Sequence, residues 1–430
     1  MKLLTAIKRH QTCINKASLL IIAIISCFFI FDFPAAANSI ESFSRLGVEI
    51  PNPPSLNARS AILIDAATGT VLFEKEADIR LPPASLTKLV TLHIVMEEIK
   101  SGRLSPDEIV EIDPQDCSPS IPYGSSLMYL QPGMKVSVKD LMLGAAVVSG
   151  NDAAYSLARR IAGSNEEFAE MMNKEVKAMG FQSLCFVEPS GLSEFNLVTA
   201  RDFAFFCKKY IELHPKALKE LHSVHSIQFP RPEHATSQYR PNGIVLQYNR
   251  NPLIFSYEGA DGLKTGYIIE VGYNMAATAM RNGNRFIAVL LGGSSTPYAD
   301  GAALRTRDTK ALFDWAFANF ATARPGYIMP KPLRVWFGKS IWIDPEPEGE
   351  AAATVPVVYK DRVTARIETV KGIKAPVYKG QKLGEIVYEI DGTKINSVNL
   401  VSGQDIPRGN LFRTLLDSIQ YFFAYIFGKL

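Results

Sequence analysis

The sequence is poor in cysteine and has almost no excess of charge. Five cysteines in 430 residues, none in a C-x-x-C pair, exclude a disulfide framework and a paired-thiolate metal site. Lysine and arginine number 46 against 43 acids. Four of those cations, Lys2, Lys8, Arg9 and Lys16, lie before residue 38, where Asp32 is the only acid. Without that stretch the balance is neutral, which removes the electrostatic footprint that nucleic-acid binding requires. G-x-S-x-G, H-E-x-x-H, P-loop and dinucleotide fingerprints are all missing. So are internal repeats and low-complexity tracts. Of the six histidines, His222, His225 and His234 form a cluster at irregular spacing, broken by Pro230 and Pro232. They are expected on an exposed loop rather than at a metal. His93, at helical spacing, is expected to be a packed or capped side chain. No metal or organic cofactor is expected.

What is present begins at the ends. Basic residues up to Lys16, an apolar run from Ala17 to Phe33 and the small residues Ala35-Ala36-Ala37 read as a secretory signal cleaved after Ala37. Two alternatives are an uncleaved anchor, since the run nears the lower limit of a membrane span, and a lipoprotein site at Cys27. Against the latter, Phe28-Phe29-Ile30-Phe31 follow where a polar stretch is usual. Cys13 and Cys27 leave with the signal, so Cys117, Cys185 and Cys207 can form at most one bridge. At the other end, Leu411, Phe412, Leu415, Leu416, Ile419, Phe422, Phe423, Ile426, Phe427 and Leu430 recur at helical steps, with Arg413, Asp417, Ser418 and Gln420 on the other side. This predicts an amphipathic helix over 409–430 that lies on a membrane surface, or docks on its own domain or a partner.

Between the ends, residues 38–57, with Pro51, Pro53 and Pro54, form a lead-in. Ile62-Leu63-Ile64-Asp65, Thr68-Gly69 and Val71-Leu72-Phe73 predict a β-hairpin. Leu86, Leu89, Val90, Leu92, Val95, Met96 and Ile99 then predict a buried helix with Ser85 in its first turn. Residues 138–180 carry two helical patterns broken at Gly163, 285–291 a core strand, and 303–320 another helix. After Ala323-Arg324-Pro325-Gly326 the pattern changes to short alternating runs, with a hairpin signal at Asp391-Gly392. Residues 58–322 and 326–405 are therefore expected as two domains, the second small and all-β.

Ser85-Leu86-Thr87-Lys88 is an S-x-x-K at a helix start. A serine hydroxyl needs a base within hydrogen-bond reach, and positions i and i+3 of a helix share a face. Lys88 can be that base once burial and a second cation hold it neutral. Ser149-Gly150-Asn151 offers a hydroxyl for proton relay and an amide for alignment, or simply a helix cap. Ser397-Val398-Asn399 shows that this spacing also arises by accident. Lys264-Thr265-Gly266, in a glycine-rich β region, suits capture of a carboxylate.

In this order the three motifs resemble the penicilloyl-serine transferase superfamily, in particular the low-molecular-weight D-alanyl-D-alanine carboxypeptidases among the penicillin-binding proteins. Ile64-Asp65 with Thr68-Gly69, Met172-Asn173, Ser190-Gly191-Leu192, Asn249-Arg250-Asn251-Pro252-Leu253, Asp261-Gly262-Leu263 and, in the β domain, Ala375-Pro376-Val377 and Gly380-Gln381-Lys382-Leu383-Gly384 extend the likeness. The resemblance implies an α+β catalytic domain, with an antiparallel sheet flanked by helices plus a helical subdomain, followed by a sandwich-like β domain. It implies Ser85 as the acylated nucleophile, Lys88 as its base, and Ser149 as proton relay to the leaving amine. Asn151 aligns the peptide, while Lys264, Thr265 and Gly266 with Arg305 receive its terminal carboxylate. The oxyanion rests on the main-chain N–H groups of Ser85 and Tyr267. Tyr267 stands where several relatives have His, and Ile268 and Val271 where Thr and Ala are frequent. The backbone donor is unaffected, so the departure bears on substrate fit and deacylation. The implied partners are peptidoglycan stem peptides ending in D-Ala-D-Ala, β-lactams as covalent inhibitors, and a membrane surface. The implied location is the outer face of the cytoplasmic membrane. Two rivals remain: a β-lactamase, for which Glu170-Met171-Met172-Asn173 is the E-x-x-N candidate, and a catalytically silent penicillin-binding sensor or scaffold.

Overall fold

The computed structural model describes residues 47–236, 245–297 and 299–427. The expected signal and its cleavage point lie outside the described residues. The chain divides into two compact units, with Asn52–Ala316 in the first and Phe317–Leu430 in the second.

The first unit is built on a five-stranded antiparallel sheet. Its strands are β1 (Ser60–Asp65), β2 (Val71–Lys75), β3 (Ala260–Ile268), β4 (Gly272–Arg281) and β5 (Asn284–Gly293), in the order β2-β1-β5-β4-β3. Ile62, Leu63 and Ile64 are all fully buried, so both faces of β1 are covered and its apolar residues run continuously instead of alternating. The expected hairpin forms, with Leu63 opposite Phe73. β3 is one of the two edge strands, with a row of main-chain groups not engaged by another strand.

A 3₁₀ turn, Ala84–Thr87, leads into α1 (Lys88–Lys100), which is buried along most of its length from Lys88 to Val95. The two helical patterns expected over 138–180 are three helices: α2 (Val138–Val147), α3 (Asn151–Ala162) and α4 (Asn165–Ala178). The extra break falls at Ser149, whose φ of 63° ends α2, so the S-x-N segment forms the entrance to α3. Apolar periodicity continues through this turn, which is why the pattern conceals it. Ser137, Ser164 and Thr199 each accept a main-chain N–H at the start of α2, α4 and α5 (Ala200–Leu213). The last element of the unit is α6 (Gly301–Asn319), which belongs to it as far as Ala316.

Two of the three clustered histidines are buried, contrary to expectation. His222 is fully buried and pairs through Nε2 with the Tyr210 hydroxyl at 2.7 Å. His234 accepts the Arg231 N–H at 3.0 Å and packs on Phe229. Leu218, Leu221 and Phe229 draw this proline-broken stretch into the core, leaving His225 exposed. Cys117 and Cys207 are buried free thiols.

The second unit contains β6 (Phe320–Ala323), β7 (Pro345–Pro347), β8 (Ala353–Pro356), β9 (Val363–Thr369), β10 (Lys382–Ile390) and β11 (Thr393–Ser402). Four of them form an antiparallel sheet in the order β7-β11-β10-β9, and β6 pairs with β8. Asp391 and Gly392 both take positive φ, 50° and 80°, as a two-residue hairpin turn requires. The terminal α7 (Leu411–Ile426) seats on this unit by its polar side. The fully buried Asp417 accepts the Phe337 N–H at 2.7 Å and pairs with Arg334 and Arg413, both at 3.1 Å. Tyr421 packs edge-on against Trp336. The apolar stripe faces outward: Leu411 is 90% exposed, Phe412 71% and Phe427 69%.

Candidate active site

The 3₁₀ turn puts Lys88 in contact with both Ser85 and Asn151, and Gly266 of β3 lies against that turn. Ser85 sits in that turn directly after Ala84, whose φ is 50°. The spacing of three presents the Lys88 Nζ to the Ser85 Oγ at 3.1 Å. Lys88 is completely buried and also donates to Asn151 Oδ1 and to the Ser190 carbonyl, each at 2.6 Å. Burial pushes this amine down from its ordinary value to about 7, although the carboxylates of Glu188 and Asp152 pull the other way. A lysine at that value is substantially neutral at neutral pH and has a lone pair to accept a proton.

Asn151 begins α3, and Ser149 is buried just before it. Asp152 holds the facing loop: its carboxylate accepts from the main-chain N–H groups of Met128 and Leu130 at 2.8 and 3.0 Å and from the Ser118 hydroxyl at 3.0 Å. Burial raises the Asp152 pKa against the effect of these donors.

Along β3, Lys264 is buried and donates to the Thr265 carbonyl at 2.9 Å. Desolvation drives its pKa well below the ordinary lysine value, reinforced by the charges of Lys88, Arg305 and Arg250. Arg305 reaches from α6 to the Gly266 and Asn274 carbonyls at 3.3 and 3.2 Å. Its own pKa falls to about 10, chiefly through burial, and its buried Nε has no hydrogen-bond partner among the described residues. Lys264 and Arg305 are therefore desolvated basic groups beside β3, and the unpartnered Arg305 guanidinium nitrogen leaves room for an anion. Gly266 lies against the serine turn: a Cβ here falls 2.8 Å from the Pro83 carbonyl oxygen and 3.1 Å from the Ser85 nitrogen. Tyr267 is half exposed and stacks on Tyr273 with ring centres 4.5 Å apart.

A further group beside the lysine is not singled out by the sequence. Glu188 accepts from the Ser190 N–H and hydroxyl at 2.7 and 2.6 Å, from the Gly191 N–H at 2.6 Å and from Asn196 Nδ2 at 2.9 Å. It thereby shapes the loop whose Ser190 carbonyl holds Lys88. Asn196 ties the same loop to Thr87 Oγ1 at 3.2 Å. Gly191 has φ 87°, and a Cβ on it falls 1.9 Å from the Ala84 carbonyl oxygen, so only glycine fits. That glycine is the single signal a sequence reader has here. The E-x-x-N candidate is resolved differently. Glu170 is exposed, and the Asn173 side chain is spent on the main chain of Phe186 at 2.7 and 2.8 Å.

Comparison with known proteins follows the same two units. Residues 48–295 match the peptidase S11 family, D-alanyl-D-alanine carboxypeptidase, and residues 319–408 match the C-terminal domain of penicillin-binding protein 5. The chain is 33% identical over 386 residues to D-alanyl-D-alanine carboxypeptidase DacA of Escherichia coli, covering 88% of this chain and 91% of that one. It is 32% identical to DacF of Bacillus subtilis, covering 83% and 88%. Among solved structures, penicillin-binding protein 5 from Haemophilus influenzae superposes with a TM-score of 0.69 at 33% identity, covering 83% of this chain and all of that one. The carboxypeptidase DacD from Francisella tularensis gives 0.64 at 29% identity, covering 84% and 97%.

Proposed function

Because this chain belongs to the D-alanyl-D-alanine carboxypeptidase family of serine peptidases, we propose that it removes the terminal D-alanine of peptidoglycan pentapeptides through an acyl-enzyme on Ser85. The observation that carries the assignment is the contact of the Ser85 hydroxyl with a buried lysine held to about 7. The Ser85 oxygen attacks the carbonyl of the penultimate D-alanine while the neutral Lys88 amine takes its proton. Negative charge developing on the carbonyl oxygen is received by the main-chain N–H groups of Ser85 and Tyr267. Collapse breaks the C–N bond as a proton passes by way of Ser149 to the leaving amine, freeing D-alanine. Water then hydrolyses the ester and regenerates Ser85. Asn151, whose Oδ1 is engaged by Lys88, keeps its NH₂ group to align the peptide. Lys264, Thr265, Gly266 and Arg305 receive the terminal carboxylate, and the open edge of β3 suits an extended peptide. A β-lactam enters by the same attack and leaves the serine esterified.

The protein acts outside the cytoplasm, attached to the membrane surface by α7. Among the described residues no helix is long and apolar enough to cross a membrane. An outward apolar stripe on a helix already anchored by its polar side favours the interface. A β-lactamase reading wants a carboxylate that activates the deacylating water, and the candidate Glu170 is exposed on α4.

The assignment is tested by intact-mass spectrometry with a penicillin and with a peptide ending in D-Ala-D-Ala. Wild type is expected to show one penicilloyl adduct and release of D-alanine, and Ser85→Ala neither. An adduct that persists in Ser85→Ala moves the nucleophile elsewhere, and a long-lived adduct without peptide turnover favours a silent sensor.

A further inference from the structure

Behind the serine site, α1 carries a second cluster that the peptidase chemistry does not use. His93 and Glu97 are four residues apart on one helical face, and His214 caps the C-terminal end of α5. His93 Nδ1 and His214 Nε2 face one another at 2.8 Å, and Glu97 Oε1 is 3.7 Å from the same His214 nitrogen. All three ligand atoms lie within 4.8 Å of one another. We propose that His93, Glu97 and His214 bind a divalent transition-metal ion of the zinc type, pinning the helix that carries Lys88 to the end of α5.

The spacing is close to what such an ion needs. Zinc binds imidazole nitrogen and carboxylate oxygen at about 2.0–2.2 Å, which puts neighbouring tetrahedral ligands about 3.3 Å apart. The two rings therefore have to part slightly and the carboxylate to draw in slightly. A 2.8 Å contact between two ring nitrogens also requires that at least one of them has a free lone pair. The far side of His93 supports the same conclusion. Its Nε2 is paired with Glu175 Oε1 of α4 at 3.2 Å, which favours the tautomer in which Nε2–H donates to the carboxylate and Nδ1 keeps a free lone pair as the ligand atom. A carboxylate on the outer nitrogen of a ligating histidine is the usual support of such sites.

The surroundings complete the case. The two histidines are buried, their side chains 1% and 6% exposed, whereas that of Glu97 is 35% exposed. Ion and water thus have a way in and a place for a fourth ligand. Lys100 sits 3.3 Å from Glu97 Oε1, but its side chain is 62% exposed and free to give way to a doubly charged ion. Two imidazoles with one carboxylate select zinc, cobalt or nickel over magnesium or calcium.

The experiment uses the full chain stripped with EDTA. It is titrated with zinc by calorimetry and with cobalt(II) by visible absorption, and its thermal midpoint is followed. One equivalent is expected to bind, to raise the midpoint and to give cobalt the strong visible bands of a four-coordinate site. Glu97→Gln, a partly exposed change that keeps the fold, is expected to weaken zinc at least tenfold. His214→Ala is expected to abolish stoichiometric binding, and Glu175→Gln to weaken it by about 10- to 100-fold. His225→Ala is expected to change nothing. Absence of saturable binding, binding that survives Glu97→Gln undiminished, or binding lost in His225→Ala overturns the proposal. If His214→Ala does not fold, Glu97→Gln alone decides.

Discussion

The Lys88 amine stands 3.1 Å from the Ser85 hydroxyl, and burial holds it to about 7. The neutral amine is the competent base, so the rate of acylation is expected to rise with pH through about 7 and to level off above it. Below that point the amine is protonated and the rate falls about tenfold per pH unit. Lys88→Arg, which cannot lose its proton, is expected to slow acylation by about 10²–10⁴-fold. Stopped-flow acylation by a chromogenic cephalosporin across pH 5–9 checks both, and a flat profile overturns the role given to Lys88. The same displacement acts on stability. Between about 7 and the ordinary lysine value the unfolded chain binds the extra proton, so this group's contribution to stability rises with pH across that window.

Lys264 is kept well below its ordinary value by burial and by the cations Lys88, Arg305 and Arg250. A ligand carboxylate opposes both effects and restores the charged form. Binding of a peptide ending in D-Ala-D-Ala to Ser85→Ala is therefore expected to take up protons over the pH range in which the unliganded Lys264 amine has lost its own, whereas the C-terminal amide of the same peptide takes up none and binds more weakly. Calorimetry in two buffers of different ionisation enthalpy measures the uptake, and identical heats for acid and amide remove Lys264 from carboxylate recognition.

Glu188 accepts from donors on both oxygens. In Glu188→Gln the new NH₂ group meets donors whichever way the amide turns, at a cost of about 1–3 kcal/mol, which lowers the thermal midpoint. Glu188 also raises the Lys88 value, so the acidic limb of the acylation profile is expected to move to lower pH. A lower midpoint with an unmoved limb reduces Glu188 to a purely structural part of the loop.

The outward face of α7 makes a separable prediction. Phe422 and Phe423 are 59% and 52% exposed, so Phe422→Asp with Phe423→Asp is expected to leave the thermal midpoint unchanged while releasing the protein from lipid vesicles in a pelleting assay. Asp417→Ala instead removes the partner of Arg334, Arg413 and the Phe337 N–H and is expected to free the helix for proteolysis. Continued pelleting of the double Phe variant disposes of the membrane role.

The contact of Ser85 with Lys88 was readable in the sequence because it is local. Ser85 and Lys88 are one helical turn apart, Ser149 and Asn151 flank a turn, and Lys264 to Gly266 follow one another on a strand. Glu188 and His214 were not readable. Glu188 meets Ser190, Gly191 and Asn196 within its own loop, where no helix or strand period marks a carboxylate as cradle, and His214 meets His93 only because α5 packs against α1. The burial of His222 and His234 was missed for the same reason. The apolar residues around them looked like a loop interrupted by prolines.

Residue order alone settled which groups share a turn or a face, because backbone geometry converts short intervals into fixed directions. It also settled the amphipathic character of the last helix. Folding decided the rest: which side of α7 meets protein, and above all whether Lys88 carries a proton. That second property belongs to no residue by itself, since it follows from water being excluded by segments as distant as Asn151 and Ser190.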